Sequence, residues 1–294
     1  MGLGLYKNWH TDWIRKGVGD AGILWKALAS LQTVLSVWLA EATQHAPSIT
    51  LLCLAIWGGA AVCAEDILET LEVRPSQFSL IAGMTLLTYV GARSITTLDK
   101  DTGIYVLPVL AGTALACLVR PIQKIGEFRE SLTVLALFPM QEILTRILPD
   151  FGTSVLTGKI SQIFLVIFGV DAVTQERFIN INGKAVYISG ACNSVDQIAL
   201  TTVICIVFTL AFPVRSLTKK ILFIMTAPIA ALCFNAARIA ILATINASTI
   251  RYKGTIFDFL HDEWGALVFG SFAVIAMGQA YLMMVEQDLK KRES

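Results

Sequence analysis

Apolar stretches about twenty residues long recur along the whole chain, and they constrain its fold more than any other feature. Each is long enough to cross the hydrocarbon core of a bilayer, which is about 30 Å thick. A segment within lipid must satisfy its own backbone hydrogen bonds, which excludes open sheets there. Charged residues make up 15% of the chain, against about 25% in soluble domains. The sequence therefore predicts an all-α polytopic membrane protein.

We predict about eight membrane spans, separated by short polar or Gly/Pro-containing stretches. The first contains Lys26 and could equally lie in the membrane interface. No internal repeat or separate soluble domain is visible, so residues 1–294 are predicted to form a single integral membrane domain. The predicted spans are 22–40, 48–64, 77–92, 103–119, 131–148, 190–212, 221–245 and 265–285.

Lysine and arginine in the connecting segments predict the orientation. With both termini cytoplasmic, the cytoplasmic segments hold 13 of these residues and the opposite side holds 7. The predicted cytoplasmic loops VRPIQKIGEFRE and PVRSLTKK are short and basic, as is the tail LKKRES. The long segment 149–189 is therefore expected on the extracytoplasmic side.

Several other classes of protein are not favoured. The net charge of +1, without a basic run, gives no indication of nucleic-acid binding. Six cysteines without CxxC spacing favour neither a disulfide framework nor a zinc site, so no metal or cofactor is predicted. The first twenty residues lack the apolar core of a cleavable signal peptide. The lipid bilayer is the one partner that composition predicts.

The segment 149–189 contains two short structural signals. The stretch GKISQIFLVIFGVDAV is too short to span the membrane and predicts an interfacial or re-entrant helix. After it, the apolar residues of 178–181 and 186–188 flank Asn182-Gly183, the strongest short signal for a β-hairpin. A small extracytoplasmic hairpin is therefore expected just before Cys192.

Cys192 lies in SGACNS, where the hairpin ends and the next span begins. A thiol at a helix N-terminus experiences the positive end of the helix dipole and free backbone N–H groups, both of which favour the thiolate. Asn193 and Ser194 beside it are small and polar, unlike the apolar surroundings of the other five cysteines. Cys192 is therefore either a reactive thiol or a small residue chosen for close packing.

Arg238 lies in the outer half of the seventh predicted span. A guanidinium does not lose its proton in proteins and needs an acceptor or a water-filled cavity at that depth. The alternative is an arginine whose long side chain reaches the outer headgroups. Asn235 is on the same helical face, where it could orient Arg238 or bond to a neighbouring helix.

His261 precedes the last predicted span, again on the outer side. A histidine next to Trp264 is often part of an interfacial aromatic belt, and Asp262 and Glu263 could orient it or be exposed loop acids. Three spans of alternating direction nevertheless bring Cys192, Arg238 and His261 to one membrane face. A nucleophile, a proton carrier and a fixed cation are the set required for acyl transfer through a thioester.

The remaining polar residues of the spans are assigned to structure. Glu142 and Arg146 are spaced i, i+4 and are predicted to pair, and Pro139 is predicted to kink the same span. Asp196 and Gln197 lie one turn beyond Cys192, where Asp196 could either pair with Arg238 or orient the site.

These motifs resemble the exosortase/archaeosortase family of membrane transpeptidases, and the cyanobacterial branch of it, the cyanoexosortases, in particular. The resemblance rests on SGACNS for the cysteine, NAARI for the arginine and LHDEWG for the histidine, and covers about 130–285. The family often has Ser-Gly after the cysteine, whereas this chain has Asn193-Ser194. The resemblance implies Cys192, Arg238 and His261 as catalytic residues, with Asn193, Ser194, Asp196 and Asn235 as supporting or substrate-binding residues.

The resemblance also implies a substrate and a location. Exosortases act on exported proteins that end in a Pro-Glu-Pro motif, a transmembrane helix and a basic tail, cleaving near the motif at the outer face of the bacterial cell membrane. Two other functions stay open on the sequence. One is a transporter or assembly scaffold with Arg238 lining a path, and the other is a membrane acyltransferase that does not need the thiol.

Overall fold

The computed structural model describes residues 46–69, 75–96, 102–188, 192, 194–212 and 214–293. These residues form helices and one small antiparallel sheet, with 3-10 turns at Thr102–Val106 and Ile122–Phe128. The strands are β1 (Val173–Gln175), β2 (Phe178–Ile181) and β3 (Lys184–Tyr187). The α-helices are α1 (Ala46–Glu69), α2 (Gln77–Thr96), α3 (Leu107–Val119), α4 (Arg129–Leu135), α5 (Phe138–Ile147), α6 (Asp150–Ile167), α7 (Val195–Ala211), α8 (Leu217–Ala247), α9 (Lys253–His261) and α10 (Glu263–Glu293).

Helices α1, α2, α8 and α10 are each long and apolar enough to cross a membrane. The apolar helices α3 and α7 have 13 and 17 residues, fewer than the typical 20 or so of a span. A fifth span results if the bent stretch 122–167 is taken as one. The helical membrane fold is thus confirmed among the described residues, but eight spans are not. The predicted first span, 22–40, lies outside them.

The predicted span 131–148 is interrupted in its middle. Helix α4 ends at Leu135, and α5 begins at Phe138 with Pro139 in its first turn. Proline lacks a backbone N–H, but the first turn of a helix has no intrahelical acceptor for that group, so proline starts α5 and does not merely kink one helix. Helix α6 then runs at 84° to the preceding helical stretch. This bend agrees with an interfacial or re-entrant helix, although α6 begins earlier than the predicted segment.

The hairpin forms where the sequence predicted it. Asn182 and Gly183 have φ angles of 52° and 78°, and Ile181 pairs with Lys184 across this two-residue turn. Positive φ at both central residues is the geometry that Asn-Gly favours in tight hairpins. Strand β1, which the sequence did not indicate, pairs with β2 in antiparallel fashion and extends the hairpin to three strands.

One face of the sheet is buried against α8. Ile179, Ile181 and Val186 point inward and pack in one apolar cluster with Ile239 of α8 and with Cys192. Alternate residues such as Asn180 are exposed, as the two-residue period of a strand requires. The hairpin therefore covers the segment that carries Cys192.

Helix α8 connects the parts of the molecule that surround the cysteine. It has 31 residues, or about 46 Å of length at 1.5 Å per residue. It packs against α6, α7, α9, α10 and strands β2 and β3. A second and larger apolar core joins α1, α3, α4 and α7. Side chains of α8 therefore face every element that approaches Cys192.

We expect the inner face of the hairpin to carry much of the stability of this region. Ile179→Ala removes three methyl or methylene groups from a side chain with no exposed area, which costs about 2–5 kcal/mol in a packed core. The apparent unfolding temperature of the purified protein in detergent, at a fixed heating rate, should fall by several degrees. Asn180→Ala, on the exposed face of the same strand, is the control and should leave it unchanged. Equal effects of the two variants would contradict the packing.

Candidate active site

Cys192 lies between β3 and α7, two residues before Ser194, the N-cap residue of α7. Because Ser194 caps α7, the thiol lies close to the N-terminus of this helix, as predicted. Its side chain has no exposed surface and packs against apolar residues of the hairpin and of α8. Cys192 is therefore enclosed by protein on all sides in this structure.

Arg238 faces the thiol. Its Nη2 lies 3.9 Å from Cys192 Sγ, and the arginine, like the cysteine, has no exposed surface. The alternative in which Arg238 extends to the outer headgroups therefore does not fit the structure. A guanidinium and a thiolate at this separation attract each other more strongly in a buried site than in water. This pair is the part of the predicted site that the structure brings into contact.

Asn235 lies one turn before Arg238 on α8 and holds the backbone around the cysteine. Its Nδ2 donates to the carbonyl oxygen of Cys192 at 3.0 Å and to Ser194 Oγ at 3.0 Å. Both bonds are buried. Of the two roles that the sequence left open, the structure shows the bond to a neighbouring element.

The other predicted supporting residues differ in position. Ser194 is fully buried in the contact with Asn235, whereas Asn193 lies outside the described residues. Asp196 is exposed in the first turn of α7, close enough to Tyr105 to act on it electrostatically. Tyr105 in turn donates from its hydroxyl to Glu142 Oε2 at 3.2 Å. The role of Asp196 at the site stays a prediction.

The predicted pair of Glu142 and Arg146 is confirmed. Arg146 Nη2 lies 2.8 Å from Glu142 Oε1, and Arg146 Nε donates to the same oxygen at 2.8 Å. This double contact is largely exposed, so its contribution to stability is small.

His261 ends α9 and is half-buried. Its ring stacks on Phe257 with 5.5 Å between centroids, and Phe257 and Leu260 pack against the apolar cluster that contains Cys192. Within the part of the chain that the structure describes, His261 forms no hydrogen bond to Cys192 or Arg238. Its connection to the cluster around the thiol runs through Phe257, on which its ring stacks.

The break between α9 and α10 depends on two residues of the LHDEWG motif. Asp262 Oδ1 accepts from the backbone N–H of Glu263 at 2.9 Å, so this acid satisfies the start of α10. Gly265 allows α10 to pack directly on the preceding helix. A Cβ at this position would lie 2.5 Å from Leu260 O and 2.6 Å from Leu260 Cα. The glycine thus fixes where α9, and with it His261, is placed.

Two residues near the site were not identified from the sequence, and the partner of a third, Gln197, was not predicted. Thr157 and Ser161 of α6 are fully buried beside Ser194 and Ala236, respectively. Gln197 of α7 is almost fully buried and donates to Ala266 O at 2.7 Å, which ties α7 to α10. Small polar residues repeated on one face of α6 were the available signal, since such residues favour close helix packing in membranes.

The exposed face of the sheet has a different character. A depression of about 500 Å³ on this face is lined by Asp171, Val173, Gln175, Phe178, Asn180, Asn182 and Ala185. Beside it, Arg177 pairs with Asp150 at 3.0 Å and lies over the Phe151 ring. A hydrogen bond from Arg177 to Tyr187 and the charge of Asp150 raise the pKa of its guanidinium, which stays charged. Among the described residues, no group of three or more His, Cys, Asp or Glu side chains could hold a metal ion.

The family model described as transmembrane exosortase (Exosortase_EpsH) matches residues 37–278. The match covers about four fifths of the chain and includes all three predicted catalytic residues. The chain belongs to the transmembrane exosortase family. It is therefore a multi-pass membrane transpeptidase of the general cysteine type that acts on proteins carrying sorting signals. Searches of curated proteins and of solved structures gave no match.

We expect Gly265→Ala to disturb the position of His261 in this exosortase. The added methyl group meets the backbone of Leu260, which cannot rotate away, so α9 must move relative to α10. The unfolding temperature and the rate of substrate processing should both fall. The control is Gly278→Ala on the same helix, where the nearest atom is Phe208 Cε2 at 3.6 Å. This control should be neutral or stabilising, because alanine is the better helix former. Wild-type behaviour of Gly265→Ala would show that the contact is not needed.

Proposed function

We propose that this exosortase is a cysteine peptidase and transpeptidase that cleaves the C-terminal sorting signal of exported proteins through a thioester on Cys192. The observation that carries the proposal is the fully buried pair of Cys192 and Arg238, with 3.9 Å between Sγ and Nη2. A permanent cation facing a thiol favours the thiolate, which is the form that attacks a carbonyl carbon.

The first half of the reaction forms the thioester. Cys192 Sγ attacks the carbonyl carbon of the scissile peptide bond, and the carbonyl oxygen gains the negative charge of a tetrahedral intermediate. Arg238 stabilises this charge or that of the thiolate. The carbon–nitrogen bond then breaks, and the leaving amine, which carries the transmembrane segment and basic tail, takes a proton. The protein is left joined to Cys192 as an acyl group.

His261 is proposed to be the general acid and base. It gives the proton to the leaving amine and then removes one from the incoming nucleophile, which is either water or an amine of an acceptor molecule. Its position supports this role, since Phe257 beneath its ring packs against the cluster that contains Cys192. Helix α9 has no fully buried residue, and Phe257 and Leu260 are its residues that pack against the apolar cluster, so a shift of α9 would disturb few core contacts.

Access to the thiol requires such a shift. Cys192 has no exposed surface, so a peptide reaches it only when covering residues move aside, and we assign this movement to α9 or the hairpin. Closure over the bound segment then excludes water and places His261 against the reacting bond. The same closure limits the access of water to the thioester until the second nucleophile enters.

The identity of the substrate comes from the family and not from the geometry. We propose substrates that end in a Pro-Glu-Pro motif, a transmembrane helix and a basic tail. Such proteins would present the motif at the outer face of the cell membrane, where Cys192 is expected from the excess of positive charge in the opposite loops. Cytoplasmic termini and membership of the cyanobacterial branch stay predictions of the sequence.

The proposal is tested by co-expressing the enzyme with a reporter that ends in a Pro-Glu-Pro motif, an apolar segment and a basic tail. We expect Cys192→Ala to leave the reporter at full length. Arg238→Ala should slow cleavage by about 10²–10³-fold, the typical effect of removing one group that stabilises an oxyanion. His261→Ala should slow it by about 10²–10⁴-fold, the usual contribution of a general acid–base group. Cleavage is measured by immunoblotting with time.

Matched controls exist for two of these variants. Cys233→Ala removes a half-buried thiol from α8, and Arg251→Ala removes an exposed arginine from the turn before α9; both should process the reporter normally. Every variant must accumulate in the membrane to the wild-type level. Normal cleavage of the reporter by Cys192→Ala would contradict the proposal. If His261→Ala alone abolished activity, a membrane acyltransferase would be favoured, and if the reporter were never cleaved, a transporter or scaffold.

A further inference from the structure

We propose that Thr157 of α6 is a positioning residue that fixes the Cys192 backbone through Ser194. The inference rests on the proposed function, because it assigns a role in the reaction at Cys192. Helix α6 packs against α8, and its hydrogen-bonded link to the cysteine segment is the contact of Thr157 with Ser194. It acts through a chain of hydrogen bonds.

The hydrogen bonds around Ser194 have a fixed direction. Thr157 Oγ1 donates to the carbonyl oxygen of Thr153 at 2.7 Å, which uses its only proton. The 2.8 Å contact between Thr157 and Ser194 must therefore use the proton of Ser194, with Thr157 Oγ1 as acceptor. Ser194 Oγ in turn accepts from Asn235 Nδ2 at 3.0 Å. The order of donation thus runs from Asn235 through Ser194 and Thr157 to the backbone of α6.

This order assigns a role to each group. The second hydrogen on Asn235 Nδ2 is donated to the carbonyl oxygen of Cys192, so a single amide group holds both ends of the segment 192–194. Ser194 has already given its proton to Thr157, so it does not donate one to the reacting atoms. Ser194 therefore links α6 to the cysteine segment and is not an acid in the reaction.

These hydrogen bonds are important for the position of the backbone because the residues that form them are buried. Thr157, Ser194 and Asn235 have no exposed surface. Water therefore cannot replace a hydrogen bond that is lost, and an unpaired hydroxyl in such a place is costly. Three buried residues fixed in series define the position of the backbone more narrowly than apolar packing alone.

Helix α6 is itself firmly attached to the neighbouring elements. Its buried face is a stripe of mostly small residues, which allows close approach to α8. Ser161 Oγ donates to the carbonyl oxygen of Ala236 on α8 at 2.8 Å. At the other end of α6, Asp150 pairs with Arg177 of the sheet. The residues of the stripe are Ser154, Thr157, Gly158, Ser161 and Leu165.

This chain of hydrogen bonds depends on a serine at position 194. The family often has glycine at this position, and glycine offers no hydroxyl to either Asn235 or Thr157. In this chain the serine hydroxyl accepts one hydrogen bond and donates another, so side chains hold the start of α7. A glycine at this position could be held only through its backbone. Thr157 is the one partner of Ser194 that comes from α6.

The test replaces the Thr157 hydroxyl by a methyl group of similar size. Thr157→Val should lower kcat for the Pro-Glu-Pro reporter by about tenfold to a hundredfold, since a shift of about 1 Å at a reacting group costs about that much. KM should stay within about twofold, because the residue does not touch the substrate. The rate at which a small maleimide alkylates Cys192 in the absence of substrate should differ from that of the wild type. The alkylated residue is identified by peptide mass spectrometry. Thr157→Ser, which keeps the hydroxyl, should restore both quantities.

Two further variants separate positioning from general damage. Thr153→Val removes a hydroxyl one turn earlier on α6 that bonds only to its own helix, so it should match the wild type. Ser161→Ala loosens α6 from α8 without touching Ser194, and should lower the unfolding temperature with a smaller loss of kcat. The inference is overturned if Thr157→Val matches the wild type while Cys192→Ala is inactive, or if Ser161→Ala and Thr157→Val lose kcat equally. Activity of Cys192→Ala would instead overturn the proposed function.

Discussion

The guanidinium of Arg238 lies fully buried in the C-terminal half of α8, and the other features of the site follow from the need to accommodate it. Moving a charge out of water costs several kcal/mol, so the surrounding structure must supply a compensating partner. The thiol of Cys192 faces the guanidinium at 3.9 Å. A cysteine that can become an anion is suited to this position, because its charge and that of the arginine offset each other. In the proposed reaction Cys192 is the nucleophile that this arginine faces.

Several elements keep this pair in place, and each follows from a local property of the sequence. The Asn-Gly turn lets the hairpin fold back so that its apolar face covers Cys192. Asn235, one turn from Arg238, reaches across to the cysteine backbone. Helix α6 is bent away from the preceding helix, and its Thr157 contacts Ser194. Gly265 brings α9 close to the start of α10 and so places His261 near the same end.

The sequence predicted those parts of the site that depend on local signals or on the direction of a helix. The hairpin followed from Asn182-Gly183, and the approach of Arg238 to Cys192 followed from two consecutive helices running in opposite directions. The number of spans was not predictable in the same way, since hydropathy does not show that a proline begins a new helix at position 139 or that α7 is only 17 residues long. Thr157 and Ser161 were not identified from the sequence because their hydrogen-bond partners are distant along the chain. Their roles exist only after α6 has packed on α8.

The most direct test of the account is a search for the acyl-enzyme. The wild-type protein and His261→Ala are incubated with the Pro-Glu-Pro reporter, quenched in acid and digested, and peptides containing Cys192 are examined by mass spectrometry. We predict a thioester between Cys192 and the reporter fragment that ends at the cleavage site, sensitive to hydroxylamine and absent from Cys192→Ala. Proton transfer should be slower in His261→Ala. The thioester should still be detected in this variant if it forms and then decays slowly. Cleavage of the reporter without any adduct at Cys192, and at an equal rate in Cys192→Ala, would contradict the account.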